Sequence, residues 1–455
     1  MHQWCILCHV PKGTRTIGVS FEETHITHFG GMWLIQRFCN KLGLRRLLQR
    51  YIRMEQRASD YHSSELILAL LYAIIMGLRR INKTEILQYN GAFLDMLGLE
   101  RFPDQATLRR FLKRLSPKTI RQLGRLHDSL RAHLFSLPWL PSSLIFDIDS
   151  VVVTLYGRQE GARVGYNPRK RGRRSYHPIF CFEAHRQEFW HGMLRPGNSA
   201  PPAGARGFIQ ACLNKVPSTI ARSRIRFRMD AAFYGRPVIQ FLDEAGCGYV
   251  IVAQKYSLIK SRIRSCRFQP LAHGWQVAEF QEKVNQYWNP LHRFVVIRRP
   301  IPDDPVEAAQ LTLFKDPKYA YQVLVTNLKL EPWRVYLFYN QRATTEKNNR
   351  ELLYDYPLGK IPTDAWIANV AFFQLMLLAL NLVHWFKRLC LKPERWTDTL
   401  DSIRTDLLVL PARLVNAHRK KIVKLPHDHH YQKEFLAAWT AIHKLRLPHI
   451  FRFCK

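Results

Sequence analysis

A chain of 455 residues, 47% apolar and 12% aromatic, can bury a large core over roughly two to four domains, which excludes a disordered polymer. Its 69 Lys and Arg against 35 Asp and Glu leave a formal charge of +34 and a pI near 10.1, a surplus suited to a polyanion, either nucleic acid or an anionic membrane surface. Nine scattered cysteines fit a reducing compartment better than a disulfide framework.

MHQWCILCHVPKGT at the start lacks the apolar run of a signal peptide. Cys5 and Cys8 have metal-ligand spacing without a second pair, and read more simply as free thiols. Residues 20 to 135 carry helical periodicity, as in SSELILALLYAIIMGLRR and TEILQYNGAFLDMLGL, with Ser63 or Ser64 as N-cap ahead of Glu65. In PDQATLRRFLKRL, Leu108, Phe111, Leu112 and Leu115 form an apolar stripe bordered by Arg109, Arg110, Lys113 and Arg114. Such a helix suits a DNA groove, and equally a solvated basic face.

Beyond Pro138 and Pro141 the pattern changes to strands. LIFDIDSVVVTLYG (144–157) alternates Leu144, Phe146 and Ile148 on one face and carries Asp147 and Asp149 in its middle. Buried carboxylates require a partner, whether an ion pair, a capped strand end or a cation. A basic loop follows with Arg158, Arg163, Arg169, Lys170, Arg171, Arg173 and Arg174, positioned to track phosphates or to lie solvated. YHPIFCFEA and EFWHGMLRPG read as two more strands, ARGFIQACLNKV as a helix, IRFRMD as a strand ending at Asp230, RPVIQFLDEAG as a helix and YVIVAQ as a strand. Three strands, helix, strand, helix, strand is the order of an RNase H-like mixed α/β (α+β) sheet flanked by helices. Its first and fourth strands are neighbours, so Asp149 and Asp230 can converge, where hard carboxylate oxygens suit Mg²⁺ or Mn²⁺, although Asp230 at a strand end reads equally as a turn former.

Residues 255 to 330 lengthen the interval to the next acidic motif with strand-like pieces CRFQPLA, WQVAEFQ, HRFVVIRRP and YAYQVLVTN. WRVYLFY (333–339) reads as a strand leading into the helical YNQRATTEKNNRELL (339–353), in which Arg342 and Glu346 lie one turn apart. The uncharged run from Ala365 to Phe386 is long enough to span a bilayer. Asn369, Gln374, Asn381 and His384 interrupt it, so it is expected to be a buried helix and no membrane partner is expected. The tail ARLVNAHRKKIVKLPHDHH is a second basic stretch, with His427, His429 and His430 as a solvated cluster or a weak metal site.

DIDS at 147–150, RMDAAFY at 228–234 and Tyr339, Arg342 and Glu346 at intervals of three and four resemble the three acidic motifs of DDE transposases from bacterial insertion sequences, in the family's order. GYNPRKRGRRSYHP resembles the basic loop after the first aspartate in one branch. Leu353 stands where the family often has Lys, and Ser150 and Val151 where it has a small residue and Thr. The resemblance implies Asp149 (Asp147 as the alternative), Asp230 and Glu346 as catalytic ligands of two Mg²⁺ or Mn²⁺ ions about 3.5–4 Å apart. It further implies cut-and-paste transposition in a bacterial cytoplasm, with double-stranded transposon ends and target DNA as partners and a homodimer on DNA. Tyr339, Arg342, Lys347 and Arg350 are then expected beside the phosphates, with Trp275 and Trp288 of the insertion stacking a flipped base or filling a small β core. The implied organisation is a helical DNA-binding region (1–135), the first part of the catalytic domain (136–254), a β-rich insertion (255–330), the second part (331–395) and a basic helical C-terminal region (396–455). A catalytically inactive DNA-binding relative and an RNase H-like nuclease remain as alternatives.

Overall fold

The computed structural model describes residues 20–54, 61–97, 99–137, 140–200, 204–301, 319–417 and 420–447, so Cys5 and Cys8 lie outside the described residues. A nine-stranded sheet organises the chain. Its strands are β1 (Leu144–Ser150), β2 (Ile179–Glu183), β3 (Glu188–Met193), β4 (Ile225–Met229), β5 (Gly248–Val252), β6 (Gln269–Pro270), β7 (Gln276–Lys283), β8 (Leu291–Pro300) and β9 (Tyr319–Thr326). The spatial order is β6-β7-β8-β9-β5-β4-β1-β2-β3. β1, β4 and β5 run parallel and every other pairing is antiparallel. The β3-β2-β1-β4-β5 half is the RNase H-like order expected from the sequence.

The other half departs from expectation. The strands of the 255–330 segment do not build a separate module: β9 pairs with β5 through Leu324↔Val252 and Thr326↔Val250, and β8 and β7 continue outward. A parallel β5 left as an edge would expose a row of unpaired backbone groups, and β9 covers it.

Alternation divides the sheet into two apolar faces. Leu144, Phe146, Ile148, Phe227, Met229, Tyr249, Ile251 and Val323 share one core with Phe208 and Ile209 of the Ala205–Leu213 helix and Val238 and Leu242 of the Arg236–Glu244 helix. On the opposite face Val250, Val295 and Leu324 meet Val335, Tyr336 and Tyr339. Phe180, Phe182 and Phe189 join the large helical core there. That core is built around Ser63–Ile75 (α1), Gln105–Arg114 (α2), Pro117–Leu134 (α3) and Trp366–Cys390 (α4). The N-cap of α1 is His62, whose N–H donates to Glu65 at 3.0 Å, rather than Ser63 or Ser64.

Among the described residues α4 alone is long and apolar enough to cross a membrane, and 78% of its most apolar stretch is buried inside the protein. Its polar interruptions face the sheet: Asn381 bonds both backbone groups of Phe189, at 3.0 and 2.8 Å. Gln374 donates to the Gly192 carbonyl at 3.1 Å, and Asn369 to the Tyr176 hydroxyl at 3.2 Å. Asn381 and Gln374 thereby give partners to backbone groups beside an otherwise apolar helix.

Glu183, at the end of β2, is fully buried, and burial pushes its carboxyl up to about 7 against backbone N–H bonds that lower it. The folded protein thus keeps a proton that the unfolded chain sheds above its ordinary value of 4.5. This contribution is complete at lower pH and is lost as pH rises through about 7. Replacing Glu183 by Gln is expected to flatten a decline of up to about 3 kcal/mol, checked by urea midpoints of both proteins at about pH 5 and about pH 8. Parallel profiles for the two would exclude the effect.

Candidate active site

β1 and β4 are parallel and in register from Leu144↔Ile225 to Ile148↔Met229, so Asp149 and Asp230 emerge together from the carboxyl ends of adjacent strands. Asp230 caps a short turn, its Oδ1 accepting from the Ala232 N–H at 3.0 Å. Burial, then the charge of Asp149, raises its pKa, with Arg342 pulling the other way. A pair of neighbouring carboxylates can hold a cation.

The sequence left open whether Asp147 or Asp149 faces the chemistry, and their neighbours separate them. Asp147 is fully buried and takes both arms of the buried Arg228 guanidinium at 2.6 and 2.7 Å, with the Thr345 hydroxyl donating at 2.8 Å. Asp147 is therefore the structural ion pair. Asp149 keeps 14% side-chain exposure at the strand end.

Two helices cover this end of the sheet. Pro332–Asn340 (the bracing helix) replaces the strand expected for WRVYLFY. Pro332 starts it, and Val335, Tyr336 and Tyr339, spaced for one helical face, pack on the sheet. Ala343–Tyr354 (the site helix) follows. At their junction Arg342 is buried, and its Nη2 meets Asp149 Oδ1 at 3.0 Å and the Ile148 carbonyl at 3.2 Å. Burial opposes its charge, yet Asp149 and its neighbours keep it firmly protonated and raise its pKa. Arg342 thus pairs with Asp149, not with Glu346. Tyr339 is also buried, which pushes its phenol up to about 12.

Glu346 is not gathered with the two aspartates. It lies exposed on the site helix, beside Thr345, and among the described residues no group of three His, Cys, Asp or Glu is assembled for a metal. The helix phase instead turns Asn349 inward, where Nδ2 donates to Asp149 Oδ2 at 2.6 Å and Oδ1 is buried without a partner. Asn349 was not singled out by sequence reasoning; its place four residues after Thr345 was the available signal. A divalent cation fits this set, since two neighbouring carboxylates and an orphaned amide oxygen are all hard donors.

The remaining expected residues divide by position. Lys347 is exposed and donates to the Thr397 carbonyl at 3.0 Å, and exposed Arg350 stands 5.9 Å from the Tyr354 ring. The basic loop is ordered by a three-stranded sheet of Val153–Thr154, Arg174–Tyr176 and Arg163–Val164. Arg158, Arg163, Arg169, Lys170, Arg171, Arg173 and Arg174 are all exposed on it. Arg109, Arg110 and Lys113 are exposed on α2. Trp288 is not a surface platform: it is buried in the core, 4.5 Å from the His292 ring. Trp275 is half-buried against Trp333 and Tyr336 at 5.9 and 5.5 Å. Among the described residues His427, His429 and His430 join no metal-holding group, and His429 bonds the Asp406 carbonyl at 3.1 Å.

A family model described as transposase DDE domain group 1 matches residues 10–447. Among solved structures, the cryo-EM structure of the piggyBac transposase synaptic complex with hairpin DNA matches at 11% identity with a TM-score of 0.45, covering 84% of this chain and 80% of that one. The Mos1 transposase paired-end complex with left transposon end matches at 12% identity with a TM-score of 0.18, covering 48% of this chain and 76% of that one. No curated protein matches.

Proposed function

Because the chain belongs to the DDE transposase family, enzymes that cleave DNA and transfer strands, we propose that it binds the terminal inverted repeats of a bacterial insertion sequence and moves the element by cut-and-paste transposition in the cytoplasm, as a homodimer on DNA. The observation that carries this reading is the convergence of Asp149 and Asp230 at the ends of parallel strands, with a surface rich in exposed arginine following Asp149 in the chain.

Asp149 and Asp230 are proposed to hold divalent ions, Mg²⁺ or Mn²⁺ and two per site, with the Asn349 amide oxygen as a further donor and Glu346 as the third carboxylate on the strength of its motif. Such ions, when bound, supply activation of a water and stabilisation of the departing 3′ oxygen. Arg342 pairs with Asp149 and would turn its guanidinium to a phosphate. Tyr339 packs on the sheet from the bracing helix, and its carbonyl accepts from the Arg342 N–H at 2.9 Å. The freed 3′ hydroxyl then attacks target DNA, a transfer that needs no covalent protein intermediate.

A catalytically inactive DNA-binding relative is the second reading, favoured by the exposed position of Glu346. Incubating the protein with Mg²⁺ and its own element ends separates the two: cleaved and joined products support the first, and binding without products supports the second.

The basic loop carries a quantitative expectation. Duplex affinity should fall steeply with salt, and replacing Arg171, Arg173 and Arg174 together by Gln should reduce the slope of log affinity on log salt by about 0.9 for each phosphate no longer neutralised. Anisotropy titrations at several salt concentrations check this. An unchanged slope would mean that the loop points away from DNA.

A further inference from the structure

Two adjoining grooves share Arg109, Gln159, Ile361 and Pro362 in their walls. The first, of about 390 Å³, is also lined by Arg79, Arg80, Asn82, Thr154, Tyr156 and Lys360, and no Asp or Glu contributes to it. Arg79, Arg80, Arg109 and Lys360 are all exposed, and among the described residues none of them pairs with a carboxylate. The one acid of the second groove, Asp364, is already bound to Lys113 at 2.6 Å. Four unpaired cations around one small groove define an anion site in search of its ligand.

An aromatic ring stands in the same wall. Tyr156 is 71% exposed, so it contributes little to packing. It is nevertheless fixed: Lys170 bonds its hydroxyl, and the Lys170 ammonium and Arg173 guanidinium lie 5.0 and 6.0 Å from the ring centroid. Beside it the Gln159 Oε1 is buried with no donor, although Gln159 lines both grooves. A buried acceptor without a partner costs free energy that a ligand N–H would recover. Cations for phosphates, a fixed ring for a base and an acceptor for a base N–H together match one nucleotide of a single strand.

We propose that this groove binds an unpaired nucleotide of single-stranded DNA, with its base stacked on Tyr156 and its flanking phosphates held by Arg79, Arg80, Arg109 and Lys360. The inference deepens the transposase reading, because strand cleavage exposes unpaired nucleotides, and it distinguishes this groove from the metal-holding strand ends. Tyr156 follows Asp149 by seven positions in the chain, which places it within roughly 25 Å of that carboxylate along an extended backbone.

The test uses the full chain and a fluorescent oligothymidylate of about 20 nucleotides, longer than a single binding site. Thymine offers one N–H, at N3, to Gln159. Tyr156→Ala should weaken binding roughly 5- to 150-fold, the range for losing one stacked base, while Tyr156→Phe binds as the parent does. Blunt duplex of the same length should change by less than about threefold, because its bases are not free to stack. Arg79→Gln together with Arg80→Gln should lower the single-strand salt slope by about 1.4, at about 0.7 for each phosphate. Undiminished oligothymidylate binding by Tyr156→Ala, an equal loss on duplex, or tighter binding of oligouridylate than of oligothymidylate would overturn the proposal. Its fate is separable from that of the catalytic reading: this binding pattern in a chain that neither cuts nor joins element ends upholds the nucleotide site and removes the catalysis. Cutting and joining with Tyr156→Ala binding unimpaired does the reverse.

Discussion

Replacing either Asp149 or Asp230 by Ala is expected to lower DNA cleavage about a thousandfold or more while duplex binding persists. Lewis-acid stabilisation of phosphoryl chemistry contributes several kcal/mol, and each 1.36 kcal/mol is tenfold in rate. Both side chains sit at strand ends, where they can be removed without opening the sheet. Loss of Asp149 leaves Arg342 beside Asp230 and the Ile148 carbonyl. Removing a carboxylate also reduces repulsion of the DNA phosphates, so affinity should hold or tighten. Cleavage on element ends with Mg²⁺ and anisotropy on the same duplex check the two halves. Parental cleavage by Asp149→Ala would remove that residue from the site. Loss of cleavage with a parallel loss of binding would make the aspartates structural. Mn²⁺ titration of each variant by electron paramagnetic resonance gives a readout independent of turnover, and Asn349→Ala and Glu346→Ala in that assay decide which of the two joins the aspartates.

Much of this site was legible in the chain. Alternation in IRFRMD, and in LIFDIDS apart from Ile145, predicts one apolar and one polar face for each strand, and the strand order of an RNase H-like sheet places the two aspartates side by side, as the register does. What sequence could not supply was long-range pairing and helix phase. WRVYLFY carries the aromatic and β-branched residues of a strand, yet Pro332 and a sheet face waiting for Val335, Tyr336 and Tyr339 make it a helix. The outer strands were found individually, but nothing local says that β9 closes the exposed side of β5. Glu346 and Asn349 lie three positions apart on one helix, and only its docking decides that Asn349 turns inward. Trp288 likewise has no local mark that separates a platform from a core residue.

The choice between Asp147 and Asp149 leads to a prediction of the opposite kind. Asp147→Ala is expected to cost about 3–5 kcal/mol of stability, because it leaves the Arg228 guanidinium charged in the core with half its partners gone. Arg228 is 1% exposed and Asp147 fully buried. The remaining bonds of Arg228, to the Phe338 carbonyl at 2.8 Å and weakly to Gln341, do not neutralise it. The same substitution strands the Thr345 hydroxyl and so loosens the first turn of the site helix from β1. Melting should drop by roughly 3–5 °C, because a chain of 455 residues has an unfolding entropy of about 1 kcal/mol/K. Arg228→Met combined with Asp147→Leu should recover much of the loss, because replacing both members of a buried pair by apolar side chains removes the stranded charge. Thermal unfolding of the parent, the two single variants and the double variant measures the coupling directly. Additive losses, or a melting temperature unmoved by Asp147→Ala, would show that the pair does not brace the strand that presents Asp149.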